Sequence, residues 1–132
     1  MPAFRYLGPS ELQPSVFEDD RGGRHFSEIL FDLDKNQMVV GARDTLYKLS
    51  LDKLVRLQRT EWTADPQSVS LCKAKGQSDA DCHNFVKVLV SLQNRLFACA
   101  THAFKPKCSW RDIDDIAKVV HFATLFMLFL VN

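Results

Sequence analysis

The chain has 132 residues, which suits one ordinary domain, and its 46% hydrophobic and 25% charged residues are typical of a globular protein. The formal net charge is only +1, from 17 basic and 16 acidic residues. This balance excludes the concentrated positive charge of a nucleic-acid-binding protein. The four cysteines are an even number at close spacing, which favours disulfides in an oxidising compartment.

The first 14 residues do not form a signal peptide. They include Arg5, Glu11 and prolines, and they lack an apolar central region. Because the cysteines favour secretion and the start does not, we expect the N-terminus of a secreted protein to be incomplete here.

The first half of the chain predicts four short strands separated by polar turns. Apolar residues alternate with other residues, and Tyr47, Leu49 and Leu51 share one face of a strand. The predicted strands cover residues 29–33, 38–41, 46–51 and 55–62.

Two loops and two more strands follow. The polar segments 63–67 and 73–81 are predicted loops, and residues 85–90 and 96–100 are predicted strands. Strands at this spacing are compatible with a sandwich, a barrel or a propeller. One four-stranded unit followed by half of another has the rhythm of propeller blades of about 40 to 50 residues.

The C-terminal segment is strongly apolar. Residues 119–131 carry no formal charge, but these 13 residues are fewer than the roughly 20 that span a bilayer. The segment therefore predicts a buried or interfacial stretch. Two alternatives stay open: a peptide from an altered reading of the gene's end, and a membrane anchor.

Neither a metal site nor an active site is evident in the sequence. Possible metal ligands exist, and Cys99 and His102 have usable spacing, but a second closely spaced pair is missing. His83 and His102 are therefore interpreted as loop or surface residues. No phosphate-binding loop, zinc-protease motif or nucleophile elbow occurs, so an enzyme is not predicted. The possible ligands are Cys82, His83, Cys99, His102 and Cys108.

The residues around Gly41 predict a tight turn. Gly41, Arg43 and Asp44 lie where a hairpin needs them, and Asp44 is suited to bond nearby backbone amides. Trp62 and Phe85 are predicted to pack in the core or between structural units.

Three sequence blocks resemble the semaphorin family. Residues 40–51, which begin Val-Gly-Ala-Arg-Asp-Thr, resemble the first-blade signature of the sema domain. Residues 72–89, with Cys-Lys-Ala-Lys-Gly and Asp-Cys-His-Asn-Phe-Val-Lys-Val-Leu, are similar to the next block, and residues 96–108 to the third. The segment Leu-Gln-Arg-Thr-Glu-Trp at 57–62 looks most like class 5 semaphorins, the transmembrane kind with thrombospondin repeats.

The resemblance implies an all-β fold, the N-terminal part of a seven-bladed propeller comprising about one and a half blades. It divides the chain into a partial sema domain at 1–112 and a non-matching apolar tail at 113–132. It also implies two disulfides, although four cysteines alone allow three pairings. The implied pairs are Cys72 with Cys82 and Cys99 with Cys108.

The resemblance implies an extracellular or plasma-membrane guidance ligand that binds plexin receptors. Such ligands act as chemorepellents in axon guidance, neural development and cell migration, and the full-length protein can form a homodimer. No cofactor is implied, and no receptor-binding residue carries over, since that surface lies mostly on later blades. We expect a piece of this size to be inactive alone, because open faces and unpaired strand edges favour aggregation. The alternatives are a plexin-like receptor fragment and a cytosolic zinc or redox protein.

Overall fold

The computed structural model describes residues 14–124, which form two four-stranded antiparallel sheets connected through one helix. The prediction of a mainly β fold built from four-stranded units is confirmed. Within each sheet the strands follow chain order. The elements are β1 (Glu28–Asp32), β2 (Gln37–Ala42), β3 (Thr45–Ser50), β4 (Arg56–Glu61), α1 (Pro66–Ala74), β5 (Val86–Leu92), β6 (Arg95–Ala100), β7 (Lys107–Asp112) and β8 (Val119–Thr124).

The helix α1 was not predicted, and it takes up two residues of each predicted loop, 66–67 and 73–74, whereas 63–65 and 75–81 are loops as expected. Asp65 caps its N-terminus, because its Oδ1 accepts a hydrogen bond from Ser68 N at 2.7 Å and its Oδ2 accepts one from Ser68 Oγ at 3.0 Å. Pro66 occupies the first turn, where its missing N–H costs nothing. The Asp-Pro pair is a helix-start signal that the polar composition obscured.

The second sheet contains four strands where the sequence indicated two. β7 pairs with β6 along its whole length, and β8 pairs with β7 at the sheet edge. β8 takes up the first part of the apolar segment 119–131, and Val120 and Phe122 are about half exposed. The rest of that segment lies outside the described residues. Between residues 14 and 124, no helix is long and apolar enough to cross a membrane.

The main core lies between the two sheets. Val39 and Leu46 of the first sheet meet Val86, Leu96 and further residues of the second. Tyr47 and Leu49, predicted to share a face with Leu51, lie on the opposite side of the first sheet. The remaining members of the inter-sheet core are Trp62, Leu89, Ala98, Ala100, Ile113 and Ile116.

One arginine is buried in that core. Arg111 is 2% exposed, and its guanidinium stacks over the Trp62 ring, 4.7 Å from the centroid. It donates to the Ile116 carbonyl at 2.8 Å, and burial lowers its pKa to about 10. Trp62 therefore packs as the sequence predicted, and its ring partly compensates the buried charge.

Candidate functional site: a sheet junction and a disulfide-anchored corner

The two sheets are fastened where the β2–β3 turn meets the start of β5, a contact that we call the sheet junction. Asp44 N donates to the Asn84 carbonyl at 2.7 Å, and Asn84 N donates to Asp44 Oδ1 at 2.9 Å. His83 Nδ1 lies 2.7 Å from Asp44 Oδ2. Arg43 forms an isolated bridge with Phe85. Asp44 was expected to bond nearby backbone amides, but the amide that its carboxylate bonds is that of Asn84, 40 residues away in the chain.

Asn84 is the centre of this junction. It is fully buried, its Nδ2 donates to the Trp62 carbonyl at 2.8 Å, and its Oδ1 accepts from His102 N at 2.7 Å. One side chain therefore connects the end of β4 to the β6–β7 turn. Buried amides paired on both sides in this way fix the relative position of the segments that they join.

The first disulfide anchors the helix beside the junction. Cys72 on α1 is bonded to Cys82, which lies just before β5. Both cysteines are buried and pack with Ala64 and Ala103. We call α1, Cys82 and the β6–β7 turn at 101–106 the corner.

The second disulfide joins neighbouring strands of the second sheet. Cys99 of β6 and Cys108 of β7 are directly opposite in the strand register and are bonded to each other. All four cysteines are therefore in disulfides. The pairing is the one that the family resemblance implies.

His102 is buried rather than a surface residue, which corrects the sequence interpretation. It is 4% exposed, and its Nε2 accepts a hydrogen bond from Asp65 N at 3.3 Å. Burial lowers the His102 pKa, and the charge of Lys107 lowers it further, so the neutral ring is favoured. The error arose because a polar residue in a loop was assumed to be solvated. His83 is half-buried at the sheet junction.

The described residues do not assemble a metal centre. In the stretch 14–124, no three His, Cys, Asp or Glu side chains are grouped to hold an ion. The cavities described there are open to solvent, and one of them has a volume of about 490 Å³.

Comparison with known proteins gives the family. No family model matches the chain. Semaphorin 5c of Drosophila melanogaster is 51% identical over 92 residues, which cover 69% of this chain and 8% of that protein. Semaphorin-5B of Mus musculus is 37% identical over 111 residues, which cover 83% of this chain and 10% of that protein. The chain belongs to the semaphorin family.

Solved structures agree with this assignment. Extracellular domains 1–2 of Drosophila Semaphorin 1a match with a TM-score of 0.65 at 30% identity, over 77% of this chain and 19% of that one. A chain in the complex of Drosophila Plexin A with Semaphorin 1b matches with a TM-score of 0.64 at 30% identity, over 75% of this chain and 19% of that one. This semaphorin chain spans about a tenth of the curated relatives that it matches. The expected likeness to class 5 semaphorins is confirmed.

Sequence reasoning missed two residues of this semaphorin site. Asn84 was assigned no structural role, and His102 was weighed as a metal ligand and then interpreted as a loop or surface residue. A signal was present, because Asn84 stands directly before the apolar run that opens β5, where a polar side chain is drawn into the core. Its partners Trp62 and His102 are distant in sequence, so the network itself was not predictable.

A third feature, beyond the junction and the corner, concerns the outer face of the first sheet. Asp19 has a fully buried side chain, and its Oδ2 accepts hydrogen bonds from the Tyr47 hydroxyl, from Gly23 N at 3.0 Å and from Arg59 Nε at 3.2 Å. Burial raises the pKa of Asp19, but the bonds from Tyr47, Arg21 N and Arg59 outweigh it and lower the pKa to about 2. The carboxylate thereby fastens residues 19–23 to this semaphorin sheet.

Replacing Asp19 by Asn is expected to destabilise the fold at neutral pH by about 1–2 kcal/mol, because the depressed pKa reports that much interaction with the charged form. Because the pKa of Asp19 is lower in the folded chain than in the unfolded chain, its ionised carboxylate stabilises the fold above about pH 4. This contribution disappears as the pH falls towards 2. Urea unfolding at several pH values measures it. Asp20→Asn, a largely exposed neighbour, is the control and should change stability by less than about 0.5 kcal/mol. An equal loss for Asp19→Asn at pH 7 and pH 2 would contradict the assignment.

Proposed function

We propose that this chain is part of an extracellular semaphorin ligand that binds a plexin receptor and acts as a guidance cue for axons and migrating cells. The observation that carries the proposal is the match to a chain in the solved complex of Drosophila Plexin A with Semaphorin 1b. The identity of 30% over three quarters of this chain supports a shared architecture.

The mechanism that we propose is binding without covalent chemistry. The buried sheet interface and the two disulfides give a scaffold that changes little on association, which lowers the entropic cost of docking. Disulfides persist outside the cell, so an extracellular site of action is consistent with the cysteine pairing. Homodimerisation of the intact ligand would bring two receptors together.

The described sheets have a positioning role in this proposal. The sheet junction sets the angle between neighbouring blades, and every later blade inherits that angle in a closed ring. We therefore assign no receptor contact to the described residues. We expect most of the receptor surface to lie on further blades.

The test is surface plasmon resonance against immobilised plexin ectodomains. We expect a semaphorin ectodomain that includes this chain to bind at least one plexin, and the 132-residue chain alone to bind none. A growth-cone collapse assay then tests repulsion. Failure of the ectodomain to bind any plexin would overturn the proposal. Equal binding by the short chain would overturn the assignment of the receptor surface to later blades.

A further inference from the structure

The β6–β7 turn has an unusual backbone. Three successive residues without glycine's freedom adopt left-handed conformations: His102 at φ 48°, Ala103 at φ 53° and Phe104 at φ 63°. L-residues other than glycine, asparagine and aspartate seldom occupy this region, and runs of them are rarer still. Strain of this kind persists only where the surroundings enforce it, and it is concentrated at functional sites.

The surroundings do enforce this turn. Oδ1 of Asn84 accepts a hydrogen bond from His102 N at 2.7 Å, and the His83 carbonyl accepts one from Ala103 N at 3.1 Å. Ala103 is 3% exposed and packs on the disulfide between Cys72 and Cys82. The sheet junction and the disulfide thus both act to fix the position of the next residue, Phe104.

Phe104 is directed outwards. It is 61% exposed, whereas phenylalanine is one of the residue types most often buried. A cavity of about 340 Å³ lies on one side of it, between the turn and α1, where Leu71 is also about half exposed. A second cavity of about 380 Å³ lies on the other side, next to Phe85. The strained turn therefore presents the Phe104 side chain between two mainly apolar cavities.

The rims of the two cavities are basic. Lys75 and Lys105 border the first cavity, and Lys87 borders the second. Among the described residues, none of these three lysines forms an ion pair. Asp81 is an acidic residue in the lining of the second cavity, and its Oδ2 accepts a hydrogen bond from Ser78 Oγ at 2.8 Å. An apolar centre with unpaired cations around it is complementary to apolar side chains flanked by carboxylates.

We propose that the corner binds an acidic segment of a partner protein that inserts a large apolar side chain beside Phe104. The segment's carboxylates pair with Lys75, Lys87 and Lys105. Its large apolar side chain fills the first cavity, next to Leu71. This surface is separate from the plexin contact proposed above, so either proposal can fail alone. A sulfated glycan would engage the lysines but would make little use of Phe104.

The test is selection from a random dodecapeptide library displayed on phage, with the full 132-residue chain as bait. Enriched peptides are expected to combine an aromatic or aliphatic residue with flanking acids, and the consensus peptide is then measured by fluorescence anisotropy. Phe104→Asn should weaken it at least tenfold while the melting temperature stays equal or rises, because asparagine tolerates the left-handed region. The double variant Lys75→Glu, Lys105→Glu should abolish binding.

Matched control variants distinguish specific binding at this surface from nonspecific hydrophobic or electrostatic binding. Phe31→Ser removes a comparably exposed phenylalanine, 59% against 61%, from β1, and Lys53→Glu reverses an exposed charge in the turn between β3 and β4. Neither should change the affinity. No enrichment, enrichment of basic or neutral peptides, or equal binding by Phe104→Asn would overturn the proposal. Tight binding of a heparin fragment that Phe104→Asn leaves unchanged would also overturn it, in favour of a glycan site.

Discussion

Replacing Asn84 by Ala is expected to lower the free energy of unfolding by about 3 kcal/mol, a large part of a domain's stability of about 5–15 kcal/mol. The substitution leaves the Trp62 carbonyl and the His102 amide buried without partners, since both depend on the Asn84 side chain. Each orphaned group costs about 1–3 kcal/mol. A small cavity adds to the loss, because Asn84 is fully buried.

Urea denaturation followed by circular dichroism measures this effect. Asn84→Asp tests the hydrogen bond more specifically, because the side chain keeps its shape. A carboxylate oxygen then replaces the amide nitrogen that donates to the Trp62 carbonyl. It should be at least as destabilising as Asn84→Ala. Gln77→Ala, an exposed amide, is the control and should change stability by less than about 0.5 kcal/mol. A loss below about 1 kcal/mol for Asn84→Ala would show that the junction is not held by this side chain.

Gly41→Ala is expected to destabilise the fold by about 2–3 kcal/mol, although alanine is ordinarily no worse in a strand than glycine. A Cβ at position 41 would lie 2.4 Å from Cγ1 of Val86 and 2.7 Å from its Cβ. Those atoms belong to the neighbouring sheet, and Val86 is fully buried. The added methyl group therefore forces the two sheets apart at the junction.

A double-mutant cycle tests that explanation. In the Gly41→Ala background, Val86→Ala should cost at least about 1 kcal/mol less than in the native chain, because it removes the nearest clashing atom. Val88→Ala changes a valine of the same strand that is 38% exposed, and its effect should simply add to that of Gly41→Ala. If the losses of stability from Gly41→Ala and Val86→Ala simply add, the destabilisation by Gly41→Ala does not come from a clash with Val86.

Some of this structure follows directly from local sequence. The alternation that places Tyr47 and Leu49 on one face predicted β3 and that shared face, although both faces of β3 are buried. The pairing of β2 with β3 followed from the short polar turn at Arg43 and Asp44. Period-two patterns and two-residue turns act over a few residues, so they can be read from one sequence.

Other parts depend on contacts that no short window contains. Gly41 was predicted at the end of the strand 38–41, where a hairpin turn follows, and it does lie in β2. What the sequence did not predict is that its lack of a side chain is required by Val86, which is distant in the chain. The buried position of His102 depends on Asn84 and Asp65 from other segments. β8 was missed because its apolar run continues into the tail, so no boundary is visible in the sequence.

The disulfide pairs illustrate a third case. Spacing alone left three connectivities open, and only the family resemblance selected Cys72 with Cys82 and Cys99 with Cys108. In the structure the two bonds have different local roles, since the first fixes α1 against the corner and the second joins β6 to β7.

If this chain folds as two neighbouring blades of a semaphorin propeller, its four cysteines form two local disulfides, and a non-reducing peptide map detects them. The chain is secreted from animal cells with an added signal peptide and digested with trypsin, which cuts after Lys75 and Lys107 and so separates the partners of both bonds. Mass spectrometry should find two reduction-sensitive peptide pairs, one joining Cys72 to Cys82 and one joining Cys99 to Cys108. Free thiols, or a bond between Cys82 and Cys99, would show that the chain does not fold as these two blades.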